Sequence, residues 1–364
     1  MTIQATNSFG ILVGLALTTS LLSGCGGGGG GGGGAADQYD YTQGTPSSEA
    51  SADSTITNSS MMALPYEDDA GNTYTSLSNA HGVLNSGGDF VATADTGARS
   101  AWQSGWTGEN VRVGIADDFN SSGRIDTHGD RVTLITNSVA PEADYALIDM
   151  LGPTKDMTAD EALAYFESNG YHIVNASWGI SRGQVGLTDA EFDRMVADRV
   201  SSFDQAVEDG KQALIVYAAG NNGDTCTGSR SEDCSYEQAT IAALRDAGYT
   251  AGENKIFVGS LADGSDEMVS YSLIAGDLMY DFIVAHDDVV TTGDGNGTSY
   301  AAPRVTGAAA LVSHKFPNLT SAQVKQVLLQ TADDLGATGV DEVFGYGRLS
   351  VVNSLSPVGT VVPR

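Results

Sequence analysis

Six short apolar runs between residues 111 and 285 constrain the fold of this chain more than any other feature. They occupy residues 111–116, 145–150, 172–176, 213–218, 255–259 and 282–285, and each is aliphatic or β-branched throughout instead of alternating with polar residues. A strand with one solvated face alternates, so these runs read as strands covered on both faces. Helical patterns at 158–168, 188–208, 299–315 and 321–332 separate or follow them. Strands divided by helices predict an α/β fold with a doubly wound, mostly parallel sheet and helices on both faces. Ligands of such sheets bind in the crevice beyond the carboxyl ends of the strands. Polar residues at those ends are therefore the candidate site.

Three strand ends carry chemically useful groups. "VRVGIADD" ends in Asp117, "HIVNASWG" ends in Ser177, Trp178 and Gly179, and "ALIVYAAGN" ends in Asn221. His128 sits in "DTHGDRVTLI" at the start of a helix, and Ser299 heads the small-residue run "GNGTSYAAPRVTGAAAL" at 295–311. Acyl transfer needs this inventory: a nucleophile, a base, a carboxylate to orient the base, and donors for a developing oxyanion. Each residue also has an ordinary reading. Ser299 could be a helix N-cap, with Pro303 tolerated in a first turn. Asp118 could replace Asp117, although the phase of the apolar run favours Asp117. A lone His is commonly satisfied by water, and "NNG" makes a turn unaided. "GTSYA" lacks the second glycine of an esterase elbow, and no H-E-x-x-H pattern is present, which disfavours those two hydrolase classes.

Taken in chain order, "THGDRV", "VAPEADYALIDMLG", "IVNASWG", "VYAAGNNG" and "GTSYAAPRVTGAAALV" resemble the successive signatures of the subtilisin-like serine peptidases. The resemblance continues through "PNLTSAQVKQVLLQTADDLG" and "FGYGRLSVVNSL". It implies a subtilisin-like fold and a serine-type endopeptidase acting through an acyl-enzyme. Ser299 would be the nucleophile, His128 the general base, Asp117 the residue fixing the imidazole tautomer, and Asn221 the oxyanion donor. Ser177, Trp178 and Gly179 would bind an extended substrate. No cofactor is implied, although a structural calcium ion is compatible with the resemblance. The sequence departs from the pattern in four places: Asp117 and His128 are only 11 residues apart, Phe119 stands where a glycine is usual, "VAHDD" at 284–288 replaces a Pro-Gly turn, and Trp178 replaces a smaller residue near the substrate. These departures keep open an alternative, a catalytically impaired surface lipoprotein that uses the fold as a binding module.

The N-terminal region carries an apolar segment at 9–22, then "LLSGC" and an unbroken glycine run at 26–34. This resembles a bacterial lipoprotein signal with Cys25 as the lipidated, palmitate-bearing residue. The first ten residues hold no Lys or Arg, and a plain secretory signal or a membrane-anchoring helix are the other readings. The expected organisation is a signal at 1–25, a flexible polar linker at 26–94 and a peptidase domain at 95–364. A net charge of −29, from 46 acidic against 17 basic residues, disfavours a nucleic-acid partner. Cys226 and Cys234 suit a small disulfide loop in an oxidising compartment, with a reactive thiol as the rival. The expected molecule is an exported monomer, lipid-anchored to the bacterial cell envelope at the outer membrane or cell surface, and acting on polypeptides.

Overall fold

Successive residues of a strand point to opposite faces of its sheet, and in this protein both faces are apolar. The computed structural model describes residues 39–47, 66–67, 73–74, 97–119, 127–150, 157–179, 188–203, 213–223, 234–249, 252, 254–262, 264–287 and 297–357. Its main sheet comprises β1 (Arg112–Asp117), β2 (Asp144–Asp149), β3 (Ile173–Ala176), β4 (Leu214–Ala218), β5 (Lys255–Leu261) and β6 (Phe282–His286). All five pairings are parallel, and the strand order is β2-β1-β3-β4-β5-β6. Val113, Ile115, Ile173, Leu214, Val216, Ile256, Val258 and Ile283 belong to one core cluster. Ala116, Val174, Ala176, Ile215, Tyr217, Phe257, Phe282 and Val284 belong to the other. The doubly wound expectation is met, and double burial explains why the runs do not alternate.

The helices are α1 (Ala98–Gln103), α2 (His128–Val139), α3 (Ala159–Ser168), α4 (Asp189–Ser201), α5 (Tyr236–Asp246), α6 (Thr298–Lys315), α7 (Ser321–Gln330) and α8 (Val351–Ser354). Capping boxes at Thr127, Thr158, Thr188, Ser235 and Thr320 start α2, α3, α4, α5 and α7, each satisfying orphan N–H groups of the first turn. Side chains of α2, α6 and α7 fill the first cluster, and those of α3, α4 and α5 fill the second. The chain leaves β1 through α2 on one face and leaves β3 through α4 on the other. The carboxyl ends of β1 and β3 thus flank the point where the winding reverses, where a crevice must open. The predicted helix at 188–208 ends earlier, at Ser201, and residues 204–208 lie outside the described set.

Residues 39–47 of the predicted 26–94 linker are among those described. The compact unit begins at Tyr39, well before residue 95. Residues 39–47 form a strap against the foot of α6. Gly44 N–H donates to the Lys315 carbonyl at 2.8 Å, Ser47 N–H donates to the Gly105 carbonyl at 2.8 Å, and Tyr41 packs edge-on to Phe316 with ring centroids 5.3 Å apart. His314 fixes this corner: its Nδ1 accepts from the Thr107 and Gly108 N–H groups, both at 3.2 Å, so Nε2 carries the proton and donates to the Thr45 carbonyl at 3.0 Å. Average composition hid the strap, because two tyrosines and a few main-chain bonds suffice to hold nine residues. The predicted signal, Cys25 and the glycine run lie outside the described residues, as does most of the predicted linker. Among the described residues no helix is long and apolar enough to cross a membrane.

Candidate active site

Asp117 ends β1 with no solvent exposure. Its Oδ1 accepts from His128 Nδ1 at 2.6 Å and from the Asp118 N–H at 2.7 Å. The residue in contact with the histidine is thus Asp117, as the strand phase predicts, and not Asp118. Oδ2 is buried without a hydrogen-bond partner among the described residues. His128 is the first residue of α2, held there by the Thr127–Asp130 capping box, whose two main-chain bonds measure 3.2 and 3.0 Å. The short Asp-to-His spacing closes because α2 docks directly on the strand end, with Gly129 N–H donating to the Asp118 carbonyl at 3.0 Å. Only glycine permits that approach, since a Cβ at 129 would lie 2.6 Å from the Asp118 oxygen and 2.7 Å from the Phe119 ring. Phe119, in the usual glycine position, therefore covers the start of the helix.

Burial alone would lower the His128 pKa. The hydrogen bond to Asp117 and the charge of that carboxylate outweigh it and hold the imidazole above its ordinary value. With Nδ1–H committed to Asp117, Nε2 is the basic nitrogen. The ring lies beside Tyr300, centroids 5.4 Å apart, which places it next to the residue following Ser299.

Helix α6 starts at Thr298, with Gly297 as a N-cap that contributes no side-chain bond. This corrects the first-turn reading of Pro303: as the sixth helical residue it removes a bond that the helix would otherwise make, from residue 303 N–H to the Ser299 carbonyl. That carbonyl instead accepts from Ser177 Oγ at 2.8 Å, and Ser299 Oγ donates to the Ser177 carbonyl at 3.0 Å. Among the described residues no hydrogen bond joins Ser299 to His128. The hydroxyl is held at the Ser177 carbonyl, one residue beyond the end of β3.

Asn221 Oδ1 accepts from Thr298 N–H at 2.9 Å and from Thr298 Oγ1 at 3.0 Å. Occupying Oδ1 assigns the amide orientation and leaves Nδ2 beside Gly297, where a Cβ would stand 3.2 Å from that nitrogen. Thr298 also accepts from Gly220 N–H at 3.0 Å, so a residue absent from the sequence prediction ties the asparagine turn to the helix. Its signal was visible in "GTSYA", where the threonine immediately precedes the serine. Asn175 and Thr306, both fully buried, were also missed. A polar residue inside the apolar run "IVNA" was their clue, because a buried amide demands partners.

The remaining candidates are placed less directly. Trp178 turns into the second core, donating from Nε1 to the Ala116 carbonyl at 2.9 Å and packing edge-on to Tyr217. It lines a cavity of about 420 Å³ under α3, α4 and α5. Gly179 abuts Ser235, where an added Cβ would meet that side chain at 3.0 Å. Asp287, in the former Pro-Gly position, is buried and accepts from the Tyr271 hydroxyl, and burial raises its pKa. Cys234 is buried, while Cys226 lies outside the described residues. Among the described residues no three His, Cys, Asp or Glu side chains are grouped to hold a metal ion.

An open parallel sheet with an Asp–His pair and a serine-headed buried helix at its reversal point defines a class, and comparison with known proteins agrees. The subtilase family profile matches residues 65–347, and the chain belongs to that family. It is 27% identical over 282 residues to subtilisin DY of Bacillus licheniformis, covering 67% of this chain and 89% of that protein. It is 45% identical over 60 residues to the autotransporter lipoprotein NalP of Neisseria meningitidis serogroup B, covering 16% of this chain and 6% of the other. The chain spans only a small part of some curated relatives, 6% of an extracellular serine protease of Serratia marcescens and 21% of serotype-specific antigen 1 of Mannheimia haemolytica. Among solved structures, a lanthipeptide protease superposes with a TM-score of 0.53 at 18% identity, covering 75% of this chain and 95% of that one. At that identity the likeness speaks for the fold alone.

Proposed function

We propose that this protein is a serine endopeptidase hydrolysing peptide bonds of extracytoplasmic polypeptides through Asp117, His128 and Ser299. One observation carries the reading: a buried carboxylate holds His128 Nδ1 at 2.6 Å and leaves Nε2 basic. In the reaction Ser299 Oγ turns from the Ser177 carbonyl toward Nε2, gives up its proton and attacks the substrate carbonyl. The imidazolium formed is stabilised by Asp117, and its proton passes to the leaving amine as the C–N bond breaks. Asn221 Nδ2 and the Ser299 N–H, at the positive end of α6, donate to the oxyanion. Water activated by the same imidazole then releases the acyl group. Substrate lies extended along residues 177–179, the backbone supplying affinity and the pockets selectivity.

Export and lipid anchoring at Cys25 belong to the same proposal. The extracellular and lipoprotein descriptions of two relatives support them, and Cys234, buried and disulfide-bonded, supports the bridge to Cys226. The test is labelling by a fluorophosphonate probe. Wild type labels and Ser299→Ala does not; a folded wild type that resists the probe would leave only the binding-module alternative.

A further inference from the structure

Pro303 creates a gap in α6 at the residue proposed as nucleophile. Its ring has no N–H, so the Ser299 carbonyl four residues back has no helical partner, and a buried carbonyl is costly to leave unpaired. Strand β3 fills the gap from the side. Ser177 Oγ spends its only proton on that carbonyl, at 2.8 Å. It must therefore act as acceptor toward its other neighbour, and Asn175 Nδ2 donates to it at 2.9 Å. That contact fixes the Asn175 amide with Oδ1 on the opposite side, where it accepts from Thr306 Oγ1 at 2.8 Å. Thr306 lies seven residues beyond Ser299, two helical turns on and on the same face of α6. The chain of bonds thus leaves α6 at Thr306, passes along β3, and returns to α6 at Ser299. Asn175 and Thr306 have no solvent exposure and Ser177 has 3%, so the links are shielded from bulk water.

We propose that Asn175 and Thr306 are positioning residues for Ser299. They hold the Ser177 hydroxyl in the one orientation that clamps the main chain of the nucleophile, replacing the helical bond that Pro303 removes. The proposal rests on the peptidase reading above. Both residues are fully buried, so their effect belongs to kcat and not to KM, and misplacement of a reacting group by about 1 Å costs on the order of 100-fold.

The experiment is a double-mutant cycle between the gap and the relay, read as kcat and KM on a peptide p-nitroanilide and as the rate of fluorophosphonate labelling. Thr306→Val, which keeps the shape and deletes the donor, lowers kcat at least about 10-fold with KM within about twofold, and Thr306→Ser restores it. In a Pro303→Ala background, residue 303 supplies its own N–H to Ser299, and the same Thr306→Val change then costs less than about threefold. Melting temperature on every variant separates folding from positioning. Should Thr306→Val not fold, Thr306→Ala carries the same comparison without the added methyl contact. An equal loss in both backgrounds, a Thr306→Val protein with wild-type kcat, or a loss confined to KM overturns the inference while the peptidase reading stands. A wild type that neither labels nor turns over sinks both.

Discussion

Replacing Asp117 with Asn separates two contributions that the structure sets against each other at His128. Burial lowers the pKa of this imidazole, and the hydrogen bond and charge of Asp117 more than reverse it. An asparagine keeps an oxygen able to accept from both His128 Nδ1 and the Asp118 N–H, which lie 2.6 and 2.7 Å from Oδ1. It removes the charge and puts an amide nitrogen where Oδ2 is buried without a partner among the described residues. A buried donor left unpaired costs about 1–3 kcal/mol, which lowers Tm by about 2–12 °C for a domain of this size. If the amide flips to avoid that cost, its N–H₂ faces both donors and imposes the wrong tautomer. Either way the imidazolium loses its counter-charge, and kcat falls on the order of 10³- to 10⁴-fold, about 4–5.5 kcal/mol. The pH profile gives the sharper reading. With the Asp117 charge gone, burial and the nearby Arg131 charge outweigh the smaller opposing effect of Asp118, and the acid limb of kcat/KM, which in wild type lies above the ordinary imidazole value of about 6.5, moves below it in Asp117→Asn. The assay is kcat/KM against pH for both proteins on one peptide substrate. A limb that stays in place or moves upward refutes the assignment of Asp117 as the dominant partner of His128. Stability follows the same linkage in wild type: the folded state binds this proton more tightly than the unfolded chain. That contribution is fully present below about pH 6.5 and is lost as pH rises through the folded-state pKa.

Asn221→Asp keeps the oxygen that accepts from Thr298 but replaces the donor with a charged oxygen. Steady-state kinetics will show kcat reduced at least about 100- to 1000-fold with Tm little changed; that size is known for such a donor in a subtilisin and is not read from these distances. Lys325, 1% exposed, pairs with Asp281 and donates to the Gly252 carbonyl at 2.6 Å. Lys325→Met strands a buried carboxylate only partly served by Arg245, and thermal denaturation will show a loss of about 3–5 kcal/mol, more than Lys325→Met combined with Asp281→Leu. Tyr41→Ala loosens the strap at Phe316 and lowers stability by about 1–3 kcal/mol, with kcat unchanged on the same substrate.

The legible parts of the sequence were those governed by local pattern. The six strands appear within one or two residues of their predicted limits because double burial demands unbroken apolar runs, and the all-apolar α6 follows from the same logic. Asp117, His128 and Asn221 could be placed because strand phase and helix starts fix where side chains emerge. What stayed hidden depends on contacts far apart in the chain. The strap pairs residue 45 with residue 314, and the relay pairs Asn175 with Thr306. Pro303 was misread for a subtler reason: its cost depends on where the helix begins, and a shift of that start turns a harmless first-turn proline into one that deletes a bond.

Helix α6 carries Ser299 near one end and the strap at the other. An 18-residue helix spans roughly 27 Å. Any tension applied to the polypeptide ahead of Tyr39 is therefore delivered at the far end of a rigid rod, through main-chain bonds running across its foot. A pull on Tyr39 would have to break the strap's bonds to Lys315 and Gly105 before it could disturb the hydroxyl, which insulates chemistry at one end of the helix from traction at the other.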